Sequence, residues 1–275
     1  MPSVNSKTIG PVDLSTKNNA KILICILGTL LNIISSDMFK SVADKLRKSE
    51  KIVFVTGAGI SQESGIPTFR GKDGLWRKYD AVKLATIDAF YEDPKLVWEW
   101  YEERRQNILA AKPNPGHLAI AELEKHKEVK VLTQNVDGLH QRAGSKLVYE
   151  LHGSIITIRC TACSFKDSIT SGFPKLPPLC KCGNILRPDV VWFGEPLPQD
   201  VWQDAMLEAS SCDVMVVVGT SLVVSPANLL PVYAKQNGAI MIEVNPEETP
   251  MSGTMDLSLR SSAAKALPEL VSIVS

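Results

Sequence analysis

Four of the chain's six cysteines fall in two tight pairs, Cys160-x-x-Cys163 and, sixteen residues on, Cys180-x-Cys182. Thiolates at that spacing read as a tetrahedral zinc site with every position filled by protein, hence a structural metal with no open position for catalysis. A redox or plain structural cysteine cluster is the competing reading. Cys25 and Cys212 stand alone and read as small apolar residues. Of the four histidines, His152 sits in Leu151-His-Gly-Ser154, between an apolar run and the cysteine module. An imidazole beside a glycine in a cleft can act as general base near neutral pH, though spacing alone also allows a structural role. His126 lies in a charged stretch and reads as solvated, His117 reads as a helix-start residue, and His140 reads as structural.

A third candidate is the loop Gly57–Trp76, which follows the β-branched run Lys51–Thr56. Glycines let the backbone approach a ligand closely. A strand opening into such a loop before a helix turns free N–H groups toward a phosphate. Gly57-x-Gly59 alone is weak, because the dinucleotide fingerprint wants a third Gly or Ala where Gln62 stands. An ordinary strand-to-helix turn is the bland alternative.

A fourth is Arg104, inside the apolar stripe of Val97, Trp100, Tyr101 and Ile108, with no acid three or four residues away. A guanidinium on an apolar face needs a partner, and its fork suits a carboxylate. Snorkelling past Trp100 to solvent is the alternative. Arg105 has Glu102 three residues before it and reads as a solvated surface residue.

The elements that must position these groups are short β-branched runs ending in small or amide residues. Val129–Leu132 leads into Thr133–Asp137, Val214–Val218 into Gly219–Ser221, and Ala239–Val244 into Asn245-Pro246. Near-continuous apolar runs are strands of a parallel sheet buried on both faces. Ligands bind at the carboxyl ends of such strands, so four polar strand ends should converge on one crevice.

At 275 residues the chain suits one large α/β domain, or a large domain carrying a small one. Thirty basic and thirty acidic residues cancel, which gives no bulk electrostatic reason for nucleic acid or an anionic membrane. The cysteines are too few and too clustered for a secreted disulfide framework, so the reading is a reducing, cytoplasmic compartment. Ile22–Ile34 is almost wholly apolar yet too short for a bilayer, which takes about 20 residues. Residues 1–37 are expected to be an extension, non-native or disordered, with translation starting at Met38.

The motifs GAGISQESGIPTFRG, TQNVDGLH, LHGS, the four cysteines, VVWFGE, GTSLVVSP and VNPEET stand in the order found in sirtuins, the NAD-dependent protein-lysine deacylases. The resemblance runs from Phe39 to the C-terminus. It implies an α/β fold whose Rossmann-type parallel sheet forms a deoxyhypusine synthase-like NAD-binding domain. That lobe would span about 38–75, 113–157 and 188–275, with a helical module near about 76–112 and a zinc module near about 158–187. It implies NAD as co-substrate, one structural zinc ion, acyl-lysine peptides as partners, no nucleic acid or membrane, and a monomer.

By the same resemblance, Gly57, Ala58, Gly59, Ser61, Glu63, Thr68, Phe69, Arg70 and Trp76 form the cofactor loop. Gln134, Asn135, Val136 and Asp137 would line the ribose and nicotinamide pocket, with Asn135 and Asp137 joining His152 as catalytic residues. Gly219, Thr220, Ser221, Asn245, Pro246 and Glu247 would hold the adenosine half. Ala263 aligns with a late adenine contact, although the Gly-Lys that precedes it in many relatives is Ser261-Ser262 here. The implied reaction has the acyl oxygen attack C1′ of the nicotinamide ribose and expel nicotinamide, after which His152 acts as base toward the ribose hydroxyls so that the 2′-oxygen attacks the amidate carbon, and water releases free lysine and 2′-O-acyl-ADP-ribose. Val191, Trp192, Phe193, Gly194 and Glu195 would form the edge on which the peptide adds as a strand. Tyr101-x-x-Arg104 resembles the signature of sirtuins that remove succinyl and malonyl groups, and Ala85 matches their small pocket residue, so activity on both acidic acyl and acetyl groups is expected. Mono-ADP-ribosyl transfer to protein and a catalytically silent NAD or acyl-lysine binding module are the rival functions.

Overall fold

The computed structural model describes residues 37–68 and 81–274, without the side chains at 81, 82 and 273. The apolar segment before residue 37, and Phe69, Arg70 and Trp76 of the expected cofactor loop, lie outside the described residues. The chain divides into Met1–Ser41, whose described residues are helical, and Val42–Ser275, which carries everything below.

In chain order the strands are β1 (Lys51–Thr56), β2 (Glu128–Thr133), β3 (Val148–Glu150), β4 (Gly153–Cys160), β5 (Lys166–Ser168), β6 (Leu186–Val190), β7 (Val214–Val218), β8 (Ile240–Val244) and β9 (Leu257–Leu259). Besides a helix over residues 37–48 and the four-residue helix Ala81–Leu84, the helices are α1 (Ile87–Glu92), α2 (Pro94–Ala110), α3 (Pro115–Leu123), α4 (Leu139–Ala143), α5 (Gln199–Ser210), α6 (Leu230–Gln236) and α7 (Ala263–Val274). The main sheet has six parallel strands in the order β3-β2-β1-β7-β8-β9. This is the parallel sheet expected from the apolar runs, and the Rossmann-like one that the resemblance implies.

Burial explains the runs. Every residue of β7 is buried, as are five of the six in β1. On one face Val53, Val55, Leu132, Met215 and Met241 pack with Ala205 and Ala209 of α5 and Leu230 and Ala234 of α6. Ile52, Phe54, Val131 and Ile242, which alternate with that set, are also fully buried, so the sheet is covered on both sides. The edge strands β3 and β9 are three residues long, too short to leave a pattern in the sequence.

A smaller antiparallel sheet, β5-β4-β6, forms the second core with α1 and α2. There Phe90, Trp98, Trp100, Tyr101 and Ile108 meet Ile155, Ile158, Leu186, Val190 and Trp192. Arg105 belongs to this lobe and corrects the reading of it as a solvated residue: its side chain is 1% exposed. It pairs with Glu102 and donates to the carbonyls of Ile169 and Ser171, partners far along the chain that its own helix does not reveal.

Candidate functional site

The carboxyl ends of β1, β2, β7 and β8 open on one cavity of about 1110 Å³. Its floor is two strand-end loops pressed together. The Gly57 N–H donates to the Val218 carbonyl at 3.1 Å, and the Gly59 N–H to the Gly219 carbonyl at 2.8 Å. A Cβ built at Gly59 would stand 2.7 Å from the Gly219 oxygen, and one at Gly57 would stand 2.6 Å from Thr220 Cβ. The two glycines are therefore required by backbone-to-backbone approach. After them the chain makes a 3₁₀ turn, Ala58–Ser64, so Gln62 needs no small side chain and lies exposed on the cavity rim.

Amide side chains tie the strand ends together. Asn135 Nδ2 donates to the Gly57 carbonyl at 3.1 Å and to Ser61 Oγ at 3.2 Å. Gln134 Nε2 donates to Thr220 Oγ1 at 3.0 Å, and Asn245 Nδ2 to the Thr220 carbonyl at 3.1 Å. Glu63 accepts from the Ser262 hydroxyl at 3.0 Å and from the Ala264 N–H at 3.1 Å, which caps the start of α7 and sets Ala263 beside the cavity. Thus Ser262, which departs from the family pattern, has a partner of its own.

Ser61 is expected in the cofactor loop and Asp137 in the ribose and nicotinamide pocket, but neither belongs to the cavity lining. Ser61 is 1% exposed and donates to Asp137 Oδ2 at 2.7 Å, while Asp137 Oδ1 accepts the Leu139 N–H at 2.9 Å. Gly138, at φ +65°, turns the chain into α4 and brings the Asp137 carboxylate under the loop. Burial pushes its pKa up against the hydrogen bonds from Leu139 and Ser61. Asp137 braces the loop from below. His117 starts α3 as expected, accepting the Asn114 N–H in a capping box. Burial lowers the His117 pKa to about 4. Burial and the His117 charge lower that of His140 to about 3, so both rings are neutral at pH 7.

His152 lines the cavity, and its Nδ1 lies 2.9 Å from the Gln134 carbonyl. A carbonyl accepts only, so Nδ1 carries the proton and Nε2 keeps its lone pair. Burial lowers the His152 pKa, against the pull of the Gln134 carbonyl. The next residue fixes the ring's place: Gly153 has φ +73°, and a Cβ there would stand 2.1 Å from the Asp189 oxygen across the β4–β6 pair. Gly153→Ala is expected to destabilise the protein by about 3 kcal/mol, from a positive φ and a backbone collision together. Thermal denaturation measures this, and an unshifted melting curve would show that β4 and β6 part without cost.

Across the cavity stand Ala85, Tyr101 and Arg104, with Val191–Glu195 beside them. The Arg104 guanidinium lies 4.6 Å from the Trp100 ring centroid and 5.5 Å from that of Tyr101. Burial lowers its pKa below the ordinary guanidinium value, and Tyr101 opposes the shift. In the expected peptide edge, the N–H groups of Val191 and Phe193 are taken by the carbonyls of His152 and Ala85. The Trp192 N–H is taken by Glu195. Gly194, at φ +89°, is the exposed turn. Two side chains of that edge line the cavity and are also tied into the fold. Trp192 is 2% exposed, and the Glu195 carboxylate grips Arg187 through two bonds of 2.6 and 2.8 Å.

One residue of the site escaped the sequence reading. Glu243, fully buried in β8, accepts from Thr249 Oγ1 and Ser252 Oγ at 2.7 Å each, and from Arg260 Nη1 at 2.6 Å. These bonds hold the segment that carries Asn245, Pro246 and Glu247 along the cavity wall. Its signal was an acid inside the apolar run Ile240–Val244. The remaining expected cofactor residues, Ala58, Thr68, Val136 and Ser221, line the cavity too.

The four cysteines of the small lobe meet at one point. Their Sγ atoms all lie within 4.8 Å of one another, with Cys160–Cys182 at 3.5 Å and Cys163–Cys180 at 3.7 Å. A tetrahedron of Zn–S bonds near 2.3 Å needs S···S spacings of about 3.8 Å, so the arrangement fits zinc. Disulfide bonds are absent among these four thiols. Cys212 is buried and only donates to the Ala209 carbonyl, the apolar role expected of it.

The family model described as "Sir2 family" matches residues 57–226. The chain is 54% identical over 233 residues to NAD-dependent protein deacylase 2 of Pyrobaculum aerophilum, covering 84% of this chain and 94% of that protein. It is 53% identical over 242 residues to the NAD-dependent protein deacylase of Pyrococcus furiosus, covering 85% and 97%. The crystal structure of a Sir2 homologue–NAD complex superposes with a TM-score of 0.81 at 49% identity, covering 86% of this chain and 93% of that one. No helix among the described residues is long and apolar enough to cross a membrane.

Proposed function

Because the chain belongs to the Sir2 family, we propose that it removes acyl groups from protein lysines with NAD as co-substrate. The observation that carries this reading is the His152 Nε2 lone pair held on the cavity that the Gly57–Gly65 loop shares with three other strand ends. NAD supplies an activated glycosidic bond. The residues of the chain place it: Gly57, Ala58 and Gly59 at the phosphates and ribose, Asn135 and Gln134 at the nicotinamide end, and Asn245 and Glu247 at the adenosine end. His152 takes a proton from a ribose hydroxyl, which its tautomer allows without rotation of the ring. A structural zinc ion holds the small lobe through Cys160, Cys163, Cys180 and Cys182. Thiols gathered as ligands, rather than oxidised in pairs, also suit a reducing cytoplasm. Nicotinamide release measured with acetyl-, succinyl- and malonyl-lysine peptides tests the function. Release that is independent of any acyl peptide would overturn it.

The acyl range is proposed to include succinyl and malonyl groups. Arg104 and Tyr101 present donors to the same cavity as Ala85, whose methyl leaves room for a longer chain. A carboxylate at the acyl end would meet a guanidinium in a desolvated setting, where charge-assisted bonds are strong. Arg104→Met is therefore expected to lower desuccinylation at least about tenfold more than deacetylation. Equal losses in kcat/KM for the two peptides would remove Arg104 from contact with the acyl carboxylate.

A further inference from the structure

We propose that Trp192 is a positioning residue for acyl selectivity, because its indole N–H fixes the direction in which the Tyr101 hydroxyl donates. This inference rests on the proposed acidic-acyl reading of Tyr101 and Arg104. The Trp192 Nε1–H donates to the Tyr101 hydroxyl oxygen at 2.9 Å. The Arg104 guanidinium, which can only donate, stands beside the same residue, its carbon 5.5 Å from the Tyr101 ring centroid. A phenol oxygen has two acceptor positions and one hydrogen. With one acceptor position held by the indole and a cation standing beside the ring, that hydrogen points away from the indole and the guanidinium. Tyr101 and Arg104 line the cavity, so the free direction is the acyl end of the cavity. A carboxylate accepts and cannot donate, whereas the methyl of an acetyl group uses neither. The oriented hydroxyl thus favours the acidic acyl group.

The indole is well placed to act as a fixed post. It is 2% exposed, with the Phe90 ring centroid 5.0 Å away on one side and the Arg187 guanidinium carbon 3.4 Å above its ring. Arg187 is itself gripped by Glu195, whose second oxygen also accepts the Trp192 backbone N–H. The neighbouring Phe193 N–H bonds the carbonyl of Ala85, so the segment that holds the indole also holds the small residue of the pocket. A phenylalanine at 192 would keep a ring in the core and lose the donor. Its Tyr101 hydroxyl would then turn its hydrogen freely.

The test compares kcat/KM for succinyl-lysine and acetyl-lysine peptides in the full chain. Three variants serve: Trp192→Phe, Trp192 replaced by 3-benzothienylalanine, in which sulfur takes the place of the N–H at nearly constant volume, and Tyr101→Phe. All three are expected to lower the succinyl-to-acetyl ratio, the Trp192 variants by roughly fivefold. Trp192→Phe added to Tyr101→Phe should lower the ratio no further. A ratio that falls in Tyr101→Phe but stays unchanged in both Trp192 variants overturns the role of Trp192 and leaves the acidic-acyl reading standing. So does an equal loss on both peptides in the Trp192 variants, which is the mark of packing alone. A ratio unchanged in Tyr101→Phe overturns the acidic-acyl reading itself, and the inference with it.

Discussion

His152→Ala is expected to lower deacylation by about a thousandfold or more while NAD still binds. A positioned general base contributes about 10²–10⁴ to a rate, and no other imidazole lines the cavity among the described residues. His117 and His140 lie beneath the loop, with pKa values of about 4 and about 3, and are held there by the Asn114 N–H and the Thr56 hydroxyl. The pH profile supplies an independent sign. Burial lowers the His152 pKa, so the ring is neutral and basic at pH 7. Activity should be lost only as pH falls through that lowered value, placing the acid limb below the ordinary 6.5. The same shift makes protonation favour the unfolded chain, so its stabilising effect is present above pH 6.5 and fades on acidification. Steady-state assays over pH, with calorimetric titration of NAD into the variant, check both points. Retained turnover in the variant, or an acid limb above 6.5, would take the base role from His152.

Removal of the metal is expected to abolish both the order of the small lobe and the activity. Structural zinc sites in small peptides carry about 10–16 kcal/mol of apparent binding energy, comparable with the about 5–15 kcal/mol of net stability of a whole domain. The damage should travel by a short route. β4 begins at Gly153, next to the base, and ends at Cys160, which is itself one of the four thiols. β6 returns along it and delivers Val191, whose N–H bonds the His152 carbonyl. Losing the anchor at one end of this hairpin loosens His152 at the other. Cys180→Ser is the sharper variant, since that thiol is buried. The metal content of the purified chain, followed by limited proteolysis after chelation, reads the effect without an activity assay. An intact proteolytic pattern and full activity in the metal-free chain would leave the thiols without a structural ion.

The parts of this fold that were legible in the sequence are those where one physical rule decides. β1 and β7 are buried on both faces, so their sequences are near-continuous apolar runs, and β2 and β8 depart from that pattern only at Glu128, Lys130 and Glu243. The thiol spacing is a local property and carried over directly. β4 and β6 were not legible: their register shifts between Ser154 and Ile158, and β6 contains Arg187 and Pro188, which break any alternation. Side-chain direction was the other loss. Asp137 and Glu195 have the right chemistry to touch a ligand, yet they turn to Ser61 and Arg187, partners that only the folded chain reveals. Arg104 and Arg105 are adjacent on one helix. The sequence shows Glu102 three residues before Arg105, whereas the carbonyls that also bury Arg105 lie more than sixty residues away.

The strand order also dictates when the site can exist during synthesis. β1 lies at the middle of the sheet, and one of its neighbours, β7, pairs Val214 with Ile52 across most of the chain. A nascent chain can zip β1 to β2 early, but it then carries an open central edge while the small lobe is being made. When β7 arrives it closes that edge and, in the same movement, sets Gly219 against Gly57 and Gly59. Assembly goes on as β8 adds beside β7 and brings Asn245 and Glu247 to the cavity wall, so the crevice takes shape in the same late steps that complete the sheet.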